Sequence, residues 1–243
     1  MGTEVILVCL LASLLAGFVH GAIGMGYGMI TMATVTMVAP YNTAAAIVSV
    51  ALLVLVSHVS WSLRDYVDWK GSIIPCVALL AGKICGIVLM MHLQSVYIRV
   101  AFGVFLVVYS TTQLMNIKAL KIKGTLLQAV FFCGVGGLFG GVFNVSGPFA
   151  SIYCQAKYGA DPKRYAANMN FYFLPSAVAA VIMHAFYGNF DRTAVIGGAI
   201  MAAAVLISST LGVAVLRRLK AKKMYLLSNI YIIIMGIIIC IGG

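Results

Sequence analysis

The residues able to do chemistry in this chain are few, and their placement is informative. All five carboxylates, Glu4, Asp65, Asp68, Asp161 and Asp191, sit near a terminus or between long apolar runs. Inside the apolar runs the ionisable groups are His20, His58, Lys83 and His184. A site for a cation in a low-dielectric interior needs an acidic partner at depth, and none is offered. A lysine and histidines suit an anion instead. Lys83 is thirteenth in the apolar run 71–91, too deep to snorkel comfortably to an interface. Inserting a lysine there costs about 2.5–3.5 kcal/mol, so it should face a cavity, an anion or helix carbonyls. A role in an anion pathway is favoured, with carbonyl pairing as the rival.

Two breaks rich in glycine or polar residues supply the other candidates. The first, at 21–28, holds Gly24, Gly26, Tyr27 and Gly28, and the second, at 140–148, holds Asn144, Ser146 and Gly147. Where a helix restarts after such a break, its free N–H groups and dipole end act as roughly half a positive charge. Glycine lets an oxyanion approach the backbone, while Asn144 and Ser146 add side-chain hydrogen bonds. The competing reading of the glycines is close helix packing. His20 abuts the first break as a ligand or proton-linked switch, and Tyr27 is placed to donate to a substrate oxygen. Asn168, Asn170 and Tyr172 put a polar stripe on the run 165–187, with 168 and 172 on one helix face. The run Asp161, Pro162, Lys163, Arg164 reads as a capped helix start.

No catalytic constellation, metal-ligand spacing or phosphate loop is present, which argues against an enzyme and implies no cofactor and no metal. The six cysteines are scattered without a C-x-x-C pair and read as small buried hydrophobes. The formal charge of +11 sits mostly in short loops, so it points to topology and anionic lipid rather than nucleic acid. A homodimer is compatible with the sequence but not demanded by it.

These groups must be positioned by membrane-spanning elements. Of the 243 residues, 63% are apolar and 9% charged, against roughly 25% charged in soluble domains. The chain is therefore all-α and polytopic, with the bilayer as its solvent. Apolar segments run at about 3–38, 43–62, 71–91, 97–116, 124–155, 165–187, 193–215 and 223–241. The first opens without Lys, Arg or a small-residue cleavage site, so it is expected to belong to the fold. As single helices, 3–38 and 124–155 would be about 54 and 48 Å long, against a hydrocarbon core of about 30 Å. Both carry the breaks in their middles, so each is expected to be two helical pieces joined by a turn.

Loop charge discriminates between eight simple crossings and a folded-back arrangement. Eight crossings divide the loop Lys and Arg nine to six. If both long segments return to the face they left, one face collects Arg64, Lys70, Lys118, Lys121, Lys123, Lys157, Lys163, Arg164 and the five of 217–223. The other keeps Arg99 and Arg192. Thirteen to two is the bias expected of a settled topology, with both termini on the outer face of the cell membrane. Each half, 1–119 and 120–243, then has odd parity, so the two are inverted repeats with hairpins entering from opposite faces. Gly17, Gly21, Gly24, Gly26 and Gly28, shifted by 120, fall on Gly137, Gly141, Asn144, Ser146 and Pro148.

The segments GFVHGAIGMGYGMITMATVTMVAP at 17–40 and GLFGGVFNVSGPFASIYCQAKYGADPKRYAANMNF at 137–171 resemble the TauE/SafE family of sulfite and organosulfonate exporters. That family has two such repeats, each followed by an apolar stretch and a proline, places filled here by Pro40 and Pro162. The resemblance covers essentially the whole chain. It implies a carrier moving sulfite or a similar sulfur-containing anion outward across the cytoplasmic membrane. The second copy departs from the pattern at Asn144, Ser146 and Pro148, and the first at Met25 and Tyr27. An anion channel, or a carrier of another oxyanion or of a zwitterionic sulfur metabolite, stands as the alternative.

Overall fold

The computed structural model describes residues 2–93, 95–115, 122–216 and 221–241. Ten α-helices account for nearly all of the described chain: α1 (Thr3–Ile23), α2 (Tyr27–Val35), α3 (Tyr41–Ser62), α4 (Ile73–His92) and α5 (Ser95–Leu114), then α6 (Leu126–Phe143), α7 (Gly147–Tyr158), α8 (Pro162–Phe186), α9 (Arg192–Leu216) and α10 (Ala221–Ile241). Seven of them are long and apolar enough to cross a membrane. Large apolar side chains such as Leu127, Phe131, Val77 and Phe186 are exposed on the bundle surface. In water that would be an aggregation liability; here it is the face a polytopic membrane protein turns to lipid.

The two over-long segments are both broken where glycine and polar residues cluster. α1 ends at Gly24, in the left-handed region at φ 86°, whose N–H bonds the His20 carbonyl at 2.6 Å. α2 restarts after Gly26, at φ 109°. In the second segment α6 ends at Asn144, the only described non-glycine residue with positive φ (56°), and α7 restarts after Ser146 with Pro148 in its first turn. An L-residue at such an angle is uncommon and is held there by its surroundings.

Close approaches at glycines fix the helix directions. α4 and α6 run parallel: a Cβ at Gly82 would strike the Gly134 carbonyl and one at Gly86 the Leu138 carbonyl. α1 and α9 run parallel in the same way, through Gly21 against Ser209 and Gly212 against Phe18. Gly124, ahead of α6, lies against Lys157 near the end of α7, so the α6–α7 pair returns to the end where it began. Arg99 donates to the Thr36 carbonyl at 3.2 Å, which puts the exit of α2 beside the start of α5. Asn189 meets Met91 at the same end of the bundle.

The described loop charges then fall unequally. Arg64, Lys70, Lys123, Lys157, Lys163 and Arg164 share one end, and Arg99 and Arg192 the other. Lys118, Lys121, Arg217, Arg218 and Lys220 lie outside the described residues, as do the side chains of Lys222 and Lys223. At the basic end Asp161 caps α8, its Oδ1 accepting from Lys163 N (2.9 Å) and Arg164 N (3.3 Å), while Thr125 and Gln128 form a capping box on α6.

Candidate functional site

Both helix breaks meet deep inside the bundle. A Cβ at Gly28 would run into the Asn144 carbonyl, and one at Gly147 would stand 3.3 Å from Met25 Cβ. The two turns therefore lie side by side, and glycine is what permits the approach. Neither restarting helix is capped by the side chain of its own N-cap residue, Gly26 or Ser146. Their first-turn N–H groups carry the partial positive charge of two helix ends into the same small volume.

Between the turns is a cavity of about 20 Å³, about the room one water needs. His20, Gly26, Tyr27, Gly28, Lys83, Asn144, Ser146 and Gly147 line it, with Met25, Met29, Leu52, Val145, Phe173 and Ser176. Lys83 is 2% exposed; its Nζ donates to the Gly140 carbonyl at 2.5 Å and to Asn144 Oδ1 at 2.8 Å. Gly140 belongs to the last turn of α6, whose carbonyls have no helical partner, so the ammonium also completes the negative end of that helix. An ammonium has three protons. With two on these oxygens, one is left for the cavity that Lys83 lines. Among the described residues the one salt bridge is Lys157 with Asp68, at the basic end, so no carboxylate neutralises Lys83.

Asn144 is the hub. Its Oδ1 accepts from Lys83, and its Nδ2 donates to the Ala45 carbonyl at 2.9 Å and lies 3.3 Å from Ser49 Oγ on α3. Tyr41, on the first turn of α3, donates to the Val142 carbonyl at 2.8 Å. Full hydrogen bonding in a dry interior explains how a left-handed asparagine is tolerated.

His20 holds the first turn. Its Nδ1 accepts from Tyr27 N at 3.4 Å, which makes it the acceptor for an otherwise unmatched N–H of α2. The ring proton therefore sits on Nε2 and goes to Asn170 Oδ1 at 3.0 Å. Asn170 Nδ2 in turn donates to the Ala166 carbonyl at 2.9 Å. On α8, Pro175 lies between the cavity-lining Phe173 and Ser176. A proline removes the hydrogen bond to the carbonyl four residues back, here Phe171, and Cys76 Sγ takes that carbonyl at 3.6 Å.

Some expected groups lie elsewhere. The Tyr27 hydroxyl, expected to donate to a substrate oxygen, lies 2.8 Å from Ser13 Oγ. Ser13 spends its single proton on the Met201 carbonyl at 2.7 Å, so Tyr27 is the donor and offers the cavity its backbone. Gly24 faces Tyr165 and Ala166 rather than the cavity. Asn170 acts through His20. Asn168 ties α8 to the α3–α4 connection: its Oδ1 accepts from Asp68 N and Ser72 Oγ, and its Nδ2 donates to the Tyr66 and Arg164 carbonyls. Tyr172 packs beside Tyr153 in a separate buried cluster with Cys133 and Cys154. Met25 stood out in the sequence only as a departure from the family pattern; Leu52, Phe173 and Ser176 were not singled out and follow only from packing.

At the basic end Asp68 joins the two halves of the chain. It accepts from Gly71 N (2.9 Å) and from the Tyr158 hydroxyl (2.8 Å), and pairs with Lys157 (3.5 Å). These donors, the Gly71 N–H foremost, hold its carboxyl below the usual carboxylate range.

The family model described as sulfite exporter TauE/SafE matches residues 9–239. A probable sulfite/organosulfonate exporter TauE of Cupriavidus necator is 23% identical over 197 residues, covering 78% of this chain and 75% of that protein. No solved structure matches. A family match across nearly the full length of an all-helical, multi-pass chain leaves one assignment: this protein belongs to the TauE/SafE family of membrane exporters.

Proposed function

We propose that the protein exports a small sulfur-containing oxyanion, sulfite or an organosulfonate, across the cell membrane, binding it between the two helix turns. The observation that carries the reading is Lys83, a buried ammonium with no carboxylate at hand among the described residues, sharing one cavity with two helix N-termini. An oxyanion there accepts hydrogen bonds from Lys83 Nζ, Ser146 Oγ and first-turn N–H groups of α2 and α7. The name of the Cupriavidus relative supports the sulfur-anion class.

A volume near that of one water is too small for an oxyanion to enter and leave unaided. That favours a carrier, which opens to each side in turn, over an anion channel. The contact pattern supports two inverted repeats, 1–119 and 120–243, because exchanging the halves maps α1 on α9 to α6 on α4, and α3 on α9 to α8 on α4. The units that move against one another are then not the two halves of the chain. α1 is locked to α9 and α4 to α6, so the moving bodies are cross-chain pairs. The excess of Lys and Arg at the 62–72 end supports a topology with that end in the cytoplasm and both termini on the outer face.

Purified protein in liposomes should accumulate labelled sulfite or a short organosulfonate, with saturation and counterflow. Flux that never saturates and shows no counterflow refutes the carrier; no flux of any sulfur oxyanion refutes the assignment.

A further inference from the structure

His20 is the histidine that lines the anion cavity, and both of its ring nitrogens are engaged. Asn170 spends its Nδ2 on the Ala166 carbonyl at 2.9 Å, so its oxygen is the atom turned to the ring. Nε2 therefore keeps its proton, and Nδ1 is the one ring atom able to take another. Nδ1 already accepts from Tyr27 N at 3.4 Å, a long hydrogen bond that a better acceptor can replace. The Tyr27 N–H is also a first-turn donor of α2, one of the groups that an anion in this cavity would use.

Proton and anion thus compete for nothing and need one another. A proton on Nδ1 alone sets two N–H groups face to face and adds a second positive charge beside Lys83. An anion alone draws the Tyr27 N–H away and leaves the Nδ1 lone pair buried and unmet. Together, Nδ1–H and Tyr27 N–H both donate to the oxyanion, and its charge offsets the imidazolium. Each event is costly by itself and favourable with the other, which is a coupling between two ligands.

The surroundings add no acid. α2 brings the Tyr27 hydroxyl, committed to Ser13, and α8 brings Asn170 and Tyr165, which reaches Gly24. α4 brings Lys83. α9 lays Ser208 and Ser209 against Gly17 and Gly21, with His58 of α3 behind Ser209, and α10 brings Asn229 near Val19. No carboxylate among the described residues faces the ring.

We infer that the carrier moves its anion together with one proton, which rides on His20 Nδ1. This rests on the proposed anion carrier and adds its coupling ion. As the anion enters, a proton from the aqueous phase forms the Nδ1–H bond, and the Tyr27 N–H passes from Nδ1 to an anion oxygen. On release at the other face the Nδ1–H bond breaks, the proton returns to water, and Nδ1 takes back the Tyr27 N–H. The unit that crosses carries one negative charge fewer than the free anion.

Calorimetric titration with methanesulfonate, whose charge does not change with working pH, counts the proton when repeated in Tris and in triethanolamine. These buffers differ in ionisation heat and contain no oxyanion. Sulfite in alkaline buffer, where it has already shed its proton, is the second probe. Uptake should approach one proton per anion, and affinity should weaken about tenfold per pH unit in the alkaline range, the slope of one linked proton. His20→Gln and His20→Asn should bind more weakly, with no uptake and a flat pH profile. Asn170→Asp sets a carboxylate against Nε2 and keeps the imidazolium resident, so it too should lose the uptake. Binding by the parent without proton uptake overturns the coupling and leaves the anion carrier standing. Uptake undiminished in all three variants overturns the assignment to His20. Binding of neither probe overturns the carrier as well. If no variant survives purification, the proton count of the parent decides.

Discussion

Replacing Lys83 with methionine separates binding from folding in a way the structure makes quantitative. In the folded protein the ammonium has two acceptors, the Gly140 carbonyl and Asn144 Oδ1. Methionine leaves both unmet, because the one proton of the neighbouring Ser49 hydroxyl goes to the Ala45 carbonyl at 2.7 Å; the cost is about 2–6 kcal/mol, at about 1–3 kcal/mol for each acceptor. Against this, a lysine at such depth costs about 2.5–3.5 kcal/mol to place, and methionine does not. The two ranges overlap, so the melting temperature in detergent should move by only a few degrees. Anion affinity has no such compensation. One charge-assisted bond lost is worth about 1.5–3 kcal/mol, a roughly 10- to 150-fold weakening of sulfite binding. Lys83→Arg should not rescue it, since a planar guanidinium does not reproduce the compact ammonium that donates to the Gly140 carbonyl and Asn144 Oδ1 at once. Calorimetric titration of purified protein with sulfite, alongside thermal unfolding, reads both quantities. If Lys83→Met binds sulfite within about threefold of the parent, a change under 1 kcal/mol, the ammonium serves only helix carbonyls and the site assignment is wrong.

Three further outcomes are expected. Gly28→Ala should force the two turns apart, because its Cβ would collide with the Asn144 carbonyl; a loss of about 1–3 kcal/mol in detergent stability and collapse of transport are the readouts. Asp68→Asn should remove pH dependence at the basic end. Because the folded carboxyl is held below its ordinary value, its contribution is full above about pH 4 and fades as pH falls through the lowered value, so acid should loosen the parent and leave the variant unchanged, as read by labelling of a cysteine placed at the exposed Ala156. Single cysteines at Lys70 and Arg99 should react with an impermeant thiol reagent from opposite sides of intact cells, Arg99 from outside, and labelling of both from one side would refute the topology.

The helical breaks were legible in the sequence because two physical limits were exceeded at once. A segment of 36 residues cannot cross a bilayer straight, and glycine at 21, 24, 26 and 28 supplies the place to bend. Loop charge then chose between crossing and returning. The second break was harder to read, since its chain reversal uses Asn144 rather than glycine, and a left-handed asparagine depends on Ala45, Ser49 and Lys83, all distant in sequence. The polar stripe of α8 shows the same limit. Asn168 and Asn170 are two residues apart and so point different ways, one to the α3–α4 connection and the other to His20, and no spacing rule reveals which partner each finds. The apolar lining of the cavity was equally hidden, because Leu52 and Phe173 resemble every other hydrophobe in a chain that is 63% apolar.

The locking of α1 to α9 through Gly21 and Gly212 has a consequence for biogenesis. The ribosome must make the 168 residues between Ile23 and Arg192 before the partner of α1 exists, on the order of ten to thirty seconds. Throughout that interval the notched side of α1 faces lipid, or a chaperone that stands in for α9. The chain is clasped like interlaced fingers, so a message truncated after α8 leaves α1 and α3 without the α9 they pack on and α5 without α10.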